Sequence, residues 1–514
     1  ECCGILKLPF GNMKKNRGLN RRDSMKDIRL NALANTLVRL LNIFFPLITT
    51  AYLSRILSKQ LYGEFNIANT YLNWFIPFAT LGVYNYGIRE ISKVKDNAEK
   101  LNTMFSTLFY ISLFCTAVTT VFYIIIMPIY SKSPSVHLLM LILGVQLIAQ
   151  IFYIEWINEA FENYTFLFYK TLFIRILMLV SIFAFVKEAD DIVQYAIIMS
   201  ASQFLNYFLS YLWIKKDVKF VKVPLENFKH LIKPLIGLFL LANAGMLYTN
   251  LDLTFVSKIG APEQVSYYAN GQRMIMLISG VISGAISVSV PRLSYYIGLE
   301  DEKSYQDLIN KSSSIFSFFM APIGMGLVAL GVHATVIMYG TRYMAGGIVT
   351  QVFAFRAISW ALEIVMGTQV ILIRGFENKL SIFYIIGGIC NLIFDSILFA
   401  FGVSSPQYYI MTTLLSEYIL LFIEYSFIKK NNLVDLKIVI HSFRKYTFIT
   451  VGFLPLSFLV NHLIPTDMNM GIPFILNIAV TIIVCCVYYG IALIVTKDEV
   501  FMEMFNKVKG RLHG

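Results

Sequence analysis

Residues 54–65 read SRILSKQLYGEF, and the stretch 203 positions later, residues 257–268, reads SKIGAPEQVSYY without a gap. Few identities are shared, but small, basic, apolar and aromatic residue classes recur in register. Each copy ends an apolar segment that is long enough to cross a bilayer. The repeat therefore predicts two related halves whose equivalent segments run in the same direction, around an axis along the membrane normal.

The segment before the first copy carries a polar stripe. Its members are spaced by three or four residues and are Asn31, Asn35, Arg39, Asn42, Pro46 and Thr49. At 3.6 residues per turn they share one side of a helix. An arginine near the bilayer centre costs at least ~2.5–3.5 kcal/mol on insertion scales, so we expect Arg39 to face a bundle interior or a water-filled cavity. The two halves are thus predicted to enclose a polar-lined cavity.

The composition is that of a polytopic membrane protein. Of the 514 residues, 57% are hydrophobic and 14% are charged, whereas soluble domains have about 25% charged residues. The basic residues responsible for the net charge of +12 lie mainly in loops between apolar segments, where the positive-inside rule accounts for them. No nucleic acid partner is therefore predicted. The six cysteines form no CxxC pair and the six histidines no i,i+4 pair. No metal site, disulfide framework or cofactor is therefore expected.

Fourteen apolar segments are long enough to span a membrane. They cover approximately residues 31–56, 65–88, 102–127, 136–158, 164–186, 190–214, 231–257, 269–291, 312–339, 346–373, 380–402, 406–428, 446–464 and 471–496. With the N-terminus inside, 33 of the 43 lysines and arginines fall on the inner side and seven on the outer side. This split predicts an all-α protein of fourteen transmembrane helices with both termini inside.

The repeat and the segment count together predict the domain organisation, with two parallel six-helix lobes followed by two further helices. The predicted parts are a basic cytoplasmic tail at 1–30, of which residues 1–12 need not be native, the N-terminal lobe at 31–214, a cytoplasmic linker at 215–230, the C-terminal lobe at 231–428, two extra transmembrane helices at 429–496, and a cytoplasmic tail at 497–514.

Basic and amide side chains within the segments are candidate substrate contacts. Arg175 and Arg356 lie within spans, as Arg39 does, and a cation there needs a partner or water. Asparagines on the polar sides of segments 1, 2 and 7 are Asn35, Asn42, Asn73 and Asn250. They fit a polar cavity, and they equally fit hydrogen bonds between packed helices.

Carboxylates within the segments are candidates for coupling to an ion gradient or for ion pairs. Asp252 lies in segment 7. Glu363 follows Arg356 by seven residues and shares its helix side, which also fits a buried Arg–Glu pair. Glu155 lies near the inner end of segment 4, either at the interface or as a partner of Arg175. The carboxylates interpreted as structural are Asp395 and Glu417.

The sequence contains no recognisable enzyme motif. It has no Walker A loop and no legible Ser/His/Asp arrangement. No predicted outer loop exceeds about twelve residues, whereas a glycan polymerase or ligase acting outside usually needs a larger external loop. The loop motif typical of major-facilitator transporters is missing from residues 89–100. The chain is therefore predicted not to be an enzyme.

Several stretches resemble the bacterial polysaccharide flippases, the Wzx-type exporters of the MOP superfamily, which also contains MATE exporters and lipid II flippases. They are LSRILSKQLYGEFNIANTYL (53–72), LGVYNYGIREISK (81–93), FYIEWINEAFENY (152–164), YTNLDLTFVSKIGAPEQVSYYANGQRMI (248–275) and PRLS (291–294). The resemblance covers residues 25 to about 300 by motif and the rest by helix count. It implies a two-lobed bundle working by alternating access, and it adds Arg273, in the part similar to the eighth helix, to the candidate substrate contacts.

The resemblance also implies a function in the bacterial plasma membrane: moving undecaprenyl-pyrophosphate-linked oligosaccharide from the inner to the outer leaflet. Arginine binds phosphate bidentately, which fits the arginines within spans. Expected partners are the lipid-linked glycan, the bilayer, and a glycan polymerase or other biosynthesis proteins, with a proton or sodium gradient as the energy source. The glycan is left open among capsule, teichoic acid and other surface polymers. The alternatives are a lipid II flippase of the same superfamily and a MATE-like cation-coupled exporter.

Overall fold

The computed structural model describes residues 37–38, 41–42, 45–131, 133–243 and 246–512, and these contain helices and no β-strand. The α-helices are α1 (45–56), α2 (Lys59–Thr80), α3 (Val83–Val94), α4 (Ala98–Tyr130), α5 (Pro134–Ala149), α6 (Glu155–Ala160), α7 (Tyr164–Phe185), α8 (Ile192–Ile214), α9 (Leu225–Asn243), α10 (Met246–Ile259), α11 (Pro262–Gly298), α12 (Glu302–Tyr339), α13 (Gly347–Ala354), α14 (Arg356–Glu363), α15 (Glu377–Ala400), α16 (Pro406–Lys430), α17 (Lys437–Val451), α18 (Phe453–Leu463), α19 (Ile472–Val495) and α20 (Glu499–Leu512). The 3-10 helices Gln150–Phe152 and Thr341–Gly346 and the π-helix Ile364–Leu372 lie between them.

Among the residues that the structure describes, ten helical stretches are long and apolar enough to cross a membrane. They are Ala98–Tyr130, Pro134–Ala160, Tyr164–Phe185, Ile192–Ile214, Glu302–Tyr339, Thr341–Leu372, Glu377–Ala400, Pro406–Lys430, Lys437–Leu463 and Ile472–Val495. The predicted all-helical, multi-pass architecture is confirmed for the described part of the chain. The count of fourteen spans, the lobe boundaries and the orientation of the termini stay predictions.

The surface of these helices is apolar where the surface of a soluble protein would be polar. On α4, Phe114 is 70% exposed and Ile129 is 75% exposed, whereas Thr116 and Thr119 on the same helix are buried. Exposing large apolar side chains to water costs free energy, whereas exposing them to lipid does not. The helix therefore turns its hydroxyl groups inward and its apolar side outward, as a bilayer requires.

The predicted second segment, 65–88, is interrupted in the structure. Helix α2 ends at Thr80, and α3 begins at Val83 after two residues with left-handed backbone, Leu81 (φ 40°) and Gly82 (φ 72°). A Cβ atom on Gly82 would lie 2.7 Å from the carbonyl oxygen of Leu235 in α9. Glycine both adopts the positive φ angle and admits this close helix.

The two copies of the sequence repeat form the same helix–turn–helix. The first copy runs from α1, which ends at residue 56, into α2, which begins at Lys59; the second runs from α10, which ends at Ile259, into α11, which begins at Pro262. Both helix ends and both helix starts are thus separated by the 203 residues of the repeat. The recurring residue classes reflect a recurring local structure.

The two copies also pack directly on each other, and we call the contact of α2 with the start of α11 the seam. A Cβ atom on Gly63 of α2 would lie 2.1 Å from the carbonyl oxygen of Pro262, so the two backbones touch there. One turn further along, the Asn66 amide donates to the Ser266 hydroxyl at 3.1 Å. The seam therefore depends on residues too small to hold the helices apart.

Basic side chains close the end of the seam that is predicted to be outside. Arg55 donates to the carbonyl oxygens of Ile337, at 2.5 Å, and Met338, at 2.9 Å, at the end of α12. Arg342 donates in the opposite direction, to the carbonyl oxygen of Leu57 at 2.9 Å. The two halves are therefore joined at this end by reciprocal arginine–carbonyl hydrogen bonds.

Candidate functional site

A polar cavity of about 290 Å³ lies between α1, α2, α7, α8 and α11. Its walls include apolar and aromatic residues such as Phe45, Phe65 and Tyr195. The polar side chains in its lining include Thr49, Asn69, Arg175, Gln203, Asn206 and Arg273. Helices from both halves thus contribute, and each half supplies one arginine, as expected for a cavity between repeats.

Arg273 on α11 is held by neutral acceptors. Its guanidinium donates to the side-chain oxygens of Asn66 at 2.8 Å, Asn270 at 3.1 Å and Tyr62 at 3.1 Å. It also lies 5.9 Å from the centre of the Tyr62 ring. Since Asn66 bonds Ser266 in the seam, Arg273 connects the cavity wall to the contact between the halves.

Arg175 on α7 has a similar environment. It donates to the Asn42 side-chain oxygen at 3.1 Å and lies 5.7 Å from the centre of the Phe45 ring. Asn42 and Arg175, both predicted as substrate contacts, are therefore neighbours. Two other predicted contacts, Asn35 and Arg39, lie outside the described residues.

Neither cavity arginine forms an ion pair with a carboxylate among the residues that the structure describes. The nearby Glu155 forms its ion pair with Lys170 instead, and the side chain of Lys170 is buried. Lys170 also donates to the Ser210 hydroxyl at 2.7 Å. The cavity therefore presents two cationic groups that form no ion pair with a described carboxylate. Such a site favours an anion, because charge-assisted hydrogen bonds are strongest out of water.

Other predicted site residues lie elsewhere. Asn73 and Asn250 are half-buried and do not belong to the lining of this cavity. Arg356 is 2% exposed and donates to Glu417 at 2.5 and 2.9 Å, while its guanidinium stacks 4.5 Å from the Trp360 ring centre. Its ion-pair partner is thus Glu417 and not Glu363, and the pair fills a helix interface.

Asp252 lies in a buried polar network of the second half. Its carboxylate accepts from the hydroxyls of Tyr268 at 2.7 Å and Thr413 at 2.5 Å. The Asn391 amide donates to Asp252 at 2.9 Å and also to Asp395 at 3.4 Å. Two fully buried carboxylates therefore share one amide, and Asp395, interpreted as structural from the sequence, belongs with Asp252.

Glu363 lies at the junction of α14 and the π-helix. Its carboxylate accepts from the Tyr384 hydroxyl on α15. A second carboxylate, Glu424 on α16, lies beside it: a Cβ atom on Gly367 would be 2.6 Å from Oε1 of Glu363 and 3.0 Å from Oε1 of Glu424. Glu363 therefore takes no part in the ion pair of Arg356 with Glu417, although Glu363 and Arg356 both lie on α14.

Several polar residues in or next to the cavity were not predicted from the sequence, among them Gln203, Asn206 and Lys170. Gln203 and Asn206 lie on α8 with the helical spacing of a polar face, and this stripe was a usable signal. Lys170 lies within α7 and has a buried side chain. Its position near the predicted inner end of the segment made it look like a loop cation, and nothing local signals its partner Glu155.

The fold is that of transporters of the MOP superfamily. The solved structure of the lipid II flippase MurJ, in an inward closed conformation, matches with a TM-score of 0.68 over 90% of this chain and 98% of that chain, at 16% identity. The inward-facing conformation of a multidrug resistance MATE family transporter of the MOP superfamily matches with a TM-score of 0.63, over 77% and 98% of the two chains, at 12% identity. At these identities the likeness is one of fold.

The chain belongs to the family described as polysaccharide biosynthesis protein, whose model matches residues 28–297, more than half of its length. Two proteins, each named "Putative O-antigen transporter", from Shigella dysenteriae and from Escherichia coli (strain K12), are 22% identical to it. These matches cover 71% of this chain and 92% and 88% of the relatives. These matches confirm the resemblance found in the sequence. They also confirm the prediction that the chain is a multi-pass bacterial membrane protein.

Proposed function

We propose that this protein is a flippase that moves an oligosaccharide linked to undecaprenyl pyrophosphate from the inner to the outer leaflet by alternating access. Support comes from its family, from relatives named as O-antigen transporters and from its MOP-type fold. The glycan would be the precursor of a surface polymer such as O-antigen, capsule or teichoic acid. The lipid tail would remain in the bilayer while the head group crosses through the cavity.

The observation that carries the proposal is the pair of cavity arginines without a described carboxylate partner. A pyrophosphate would supply the anionic partner that Arg175 and Arg273 do not have among the described residues. The planar guanidinium group can donate two parallel hydrogen bonds to phosphate oxygens. Asn69, Gln203 and Asn206 offer neutral hydrogen-bonding groups to sugar hydroxyls. A MATE-like exporter of organic cations would require the opposite charge in this position, so the cavity favours the anionic substrate.

Alternating access would require the seam to open. An anion bound by Arg273 competes with Asn66 for the same guanidinium donors, and Asn66 is also bonded across the seam to Ser266. Substrate binding would therefore loosen the contact between the halves at Gly63 and Pro262. This gives the substrate different interactions in the two states, as any ligand-driven change of state must have.

Energy would come from a cation gradient acting on Asp252 and Asp395. Two buried carboxylates that share the Asn391 amide cannot both stay ionised without a cation. A proton or a sodium ion would meet that need, with Thr412 and Thr413 hydroxyls at 2.7 and 2.5 Å from carboxylate oxygens. We propose that occupancy of this pair resets the transport cycle.

Complementation of cells depleted of their own flippase tests the proposal. We expect the wild-type chain to relieve the build-up of lipid-linked oligosaccharide on the inner leaflet. Arg273→Ala should fail at equal protein levels, while Arg444→Ala, which changes an exposed arginine, should succeed. If the wild type relieves no precursor but lowers the accumulation of cationic dyes, the protein is an exporter and the proposal is wrong.

A further inference from the structure

Glu424 is a buried carboxylate that belongs neither to the cavity lining nor to the hydrogen-bond network of Asp252 and Asp395. It lies on α16 with no exposed surface, and neither of its carboxylate oxygens has a hydrogen-bond partner among the described residues. An ionised carboxylate in such surroundings loses its hydration without any replacement. The group therefore requires a bound cation or a proton.

A second carboxylate lies next to it. A Cβ atom on Gly367 would be 2.6 Å from Oε1 of Glu363 and 3.0 Å from Oε1 of Glu424, so both carboxylates point into the space that this glycine leaves open. The two oxygens are consequently less than about 6 Å apart. Gly367 belongs to the π-helix Ile364–Leu372, and π-helical turns are frequent at functional sites.

The other charged groups nearby do not offset this pair. Helix α15 contributes Tyr384, whose hydroxyl donates to Glu363. The guanidinium of Arg356, which lies on the same helix as Glu363, is already paired with Glu417. The π-helix contributes no titratable side chain. Two carboxylates at this separation, with no cation of their own, cannot both be ionised in a low-dielectric interior.

We propose that Glu363 and Glu424 form a proton-binding site of their own, in addition to the Asp252–Asp395 pair. Glu424 lies 11 residues after Thr413, the α16 contact of Asp252, which is ~16 Å along the helix. It lies six residues before Lys430, at the end of α16 that is predicted to face inside. The role of this site in transport rests on the ion-coupled function proposed above, whereas its protonation does not.

The two carboxylates of this site differ in their access to solvent. Glu424 is sealed from solvent, while Glu363 is half-buried and reaches the Tyr384 hydroxyl. A proton can therefore move between a sealed and a partly accessible carboxylate through a gap that only a glycine provides. Such carboxylate chains are typical of proton pathways within membrane proteins.

Infrared difference spectroscopy of the purified full-length protein across a pH series tests this. We expect a carbonyl band of a protonated, desolvated carboxyl group at neutral pH that disappears at high pH. Glu424→Gln should remove one component of this band, and the matched variant Asp252→Asn should keep that component. Persistence of the whole band in Glu424→Gln would overturn the proposal.

A sodium titration at fixed pH, with choline as the control ion, separates a proton from a metal cation. The proposal predicts that sodium leaves the Glu424 band unchanged, and loss of the band on adding sodium would make this a cation site instead. Glu363→Gln provides a second variant should Glu424→Gln not fold, and it should remove or displace the same band. Because the spectrum needs no glycan, a negative result here leaves the complementation test of the flippase function unaffected.

Discussion

The substitution Gly63→Ala probes the seam with a single methyl group. Its Cβ would lie 2.1 Å from the carbonyl oxygen of Pro262 and 2.8 Å from the Pro262 Cβ. Since non-bonded contacts need about 3.5 Å, α2 and α11 must separate by more than about 1 Å. Overpacking of this kind costs about 1–3 kcal/mol, and the cost applies only while the seam is closed.

This cost should shift the balance between the two states. A penalty of ~1–3 kcal/mol changes a two-state ratio by roughly 5- to 150-fold in favour of the open seam. Spin labels at Gln60 and Ala261, both exposed and on opposite sides of the seam, report the change as a distance distribution. We expect Gly63→Ala to lengthen the main distance or to populate a longer one.

Gly326→Ala is the matched control. Gly326 also lies within a helix, but a Cβ atom there would meet nothing within 4 Å. Its replacement should leave the distances unchanged and add a little helix stability, since alanine is the better helix former. An unchanged distance distribution in Gly63→Ala, with an unchanged melting temperature, would refute the idea that this contact holds the halves together.

Three further outcomes are expected. Lys170→Met leaves Glu155 without its cation and should lower the free energy of unfolding by ~3–5 kcal/mol, measured as a lower melting temperature in detergent. The double variant with Glu155→Gln should regain most of the lost stability. Asp252→Asn should abolish the dependence of glycan translocation on the ion gradient while binding of the substrate persists. Burial raises the pKa of Asp498, but hydrogen bonds from Lys445, the Phe501 backbone and Tyr446 outweigh this effect and hold that pKa below 3.8. The melting temperature of the wild type should therefore decrease when the pH is lowered below about 4, and the decrease should be smaller in Asp498→Asn.

Each of these results can go the other way. An unaltered melting temperature in Lys170→Met would mean that the buried pair contributes no stability. Full gradient dependence in Asp252→Asn would move ion coupling to another site. The Asp498 carboxylate is favoured in the folded state, so its contribution is present above the ordinary pKa of 3.8 and is lost as the pH falls. Equal pH profiles in wild type and variant would contradict it.

Much of the helical architecture was accessible from local pattern. Apolar length located the helices, and the repeat at 54–65 and 257–268 predicted two equivalent turns, which the structure contains in register. The break at Gly82 was not predicted, because a left-handed turn within an apolar segment depends on the close approach of α9. A hydropathy average over the whole segment does not reveal such a break in the helix.

The candidate site was less accessible, because its partners lie far apart in sequence. The spacing of Arg356 and Glu363 fits an ion pair within one helix, yet the structure pairs Arg356 with Glu417, 61 residues away. Arg175 meets Asn42 across 133 residues, and Glu155 goes to Lys170. A single sequence shows which polar groups need partners inside the membrane, but packing between helices decides which partner each one receives.

The most direct test of the anionic cavity is binding of undecaprenyl pyrophosphate to the purified protein, with neutral undecaprenol as the reference ligand. Hydrogen bonds to charged groups contribute ~1.5–3 kcal/mol, so Arg273→Ala should weaken binding of the pyrophosphate by roughly 10- to 150-fold. Undecaprenol should bind wild type and variant alike, and Arg444→Ala should bind both ligands as the wild type does. Equal affinity of the wild type for the two ligands, or an Arg273→Ala variant that binds the pyrophosphate undiminished, would contradict the account.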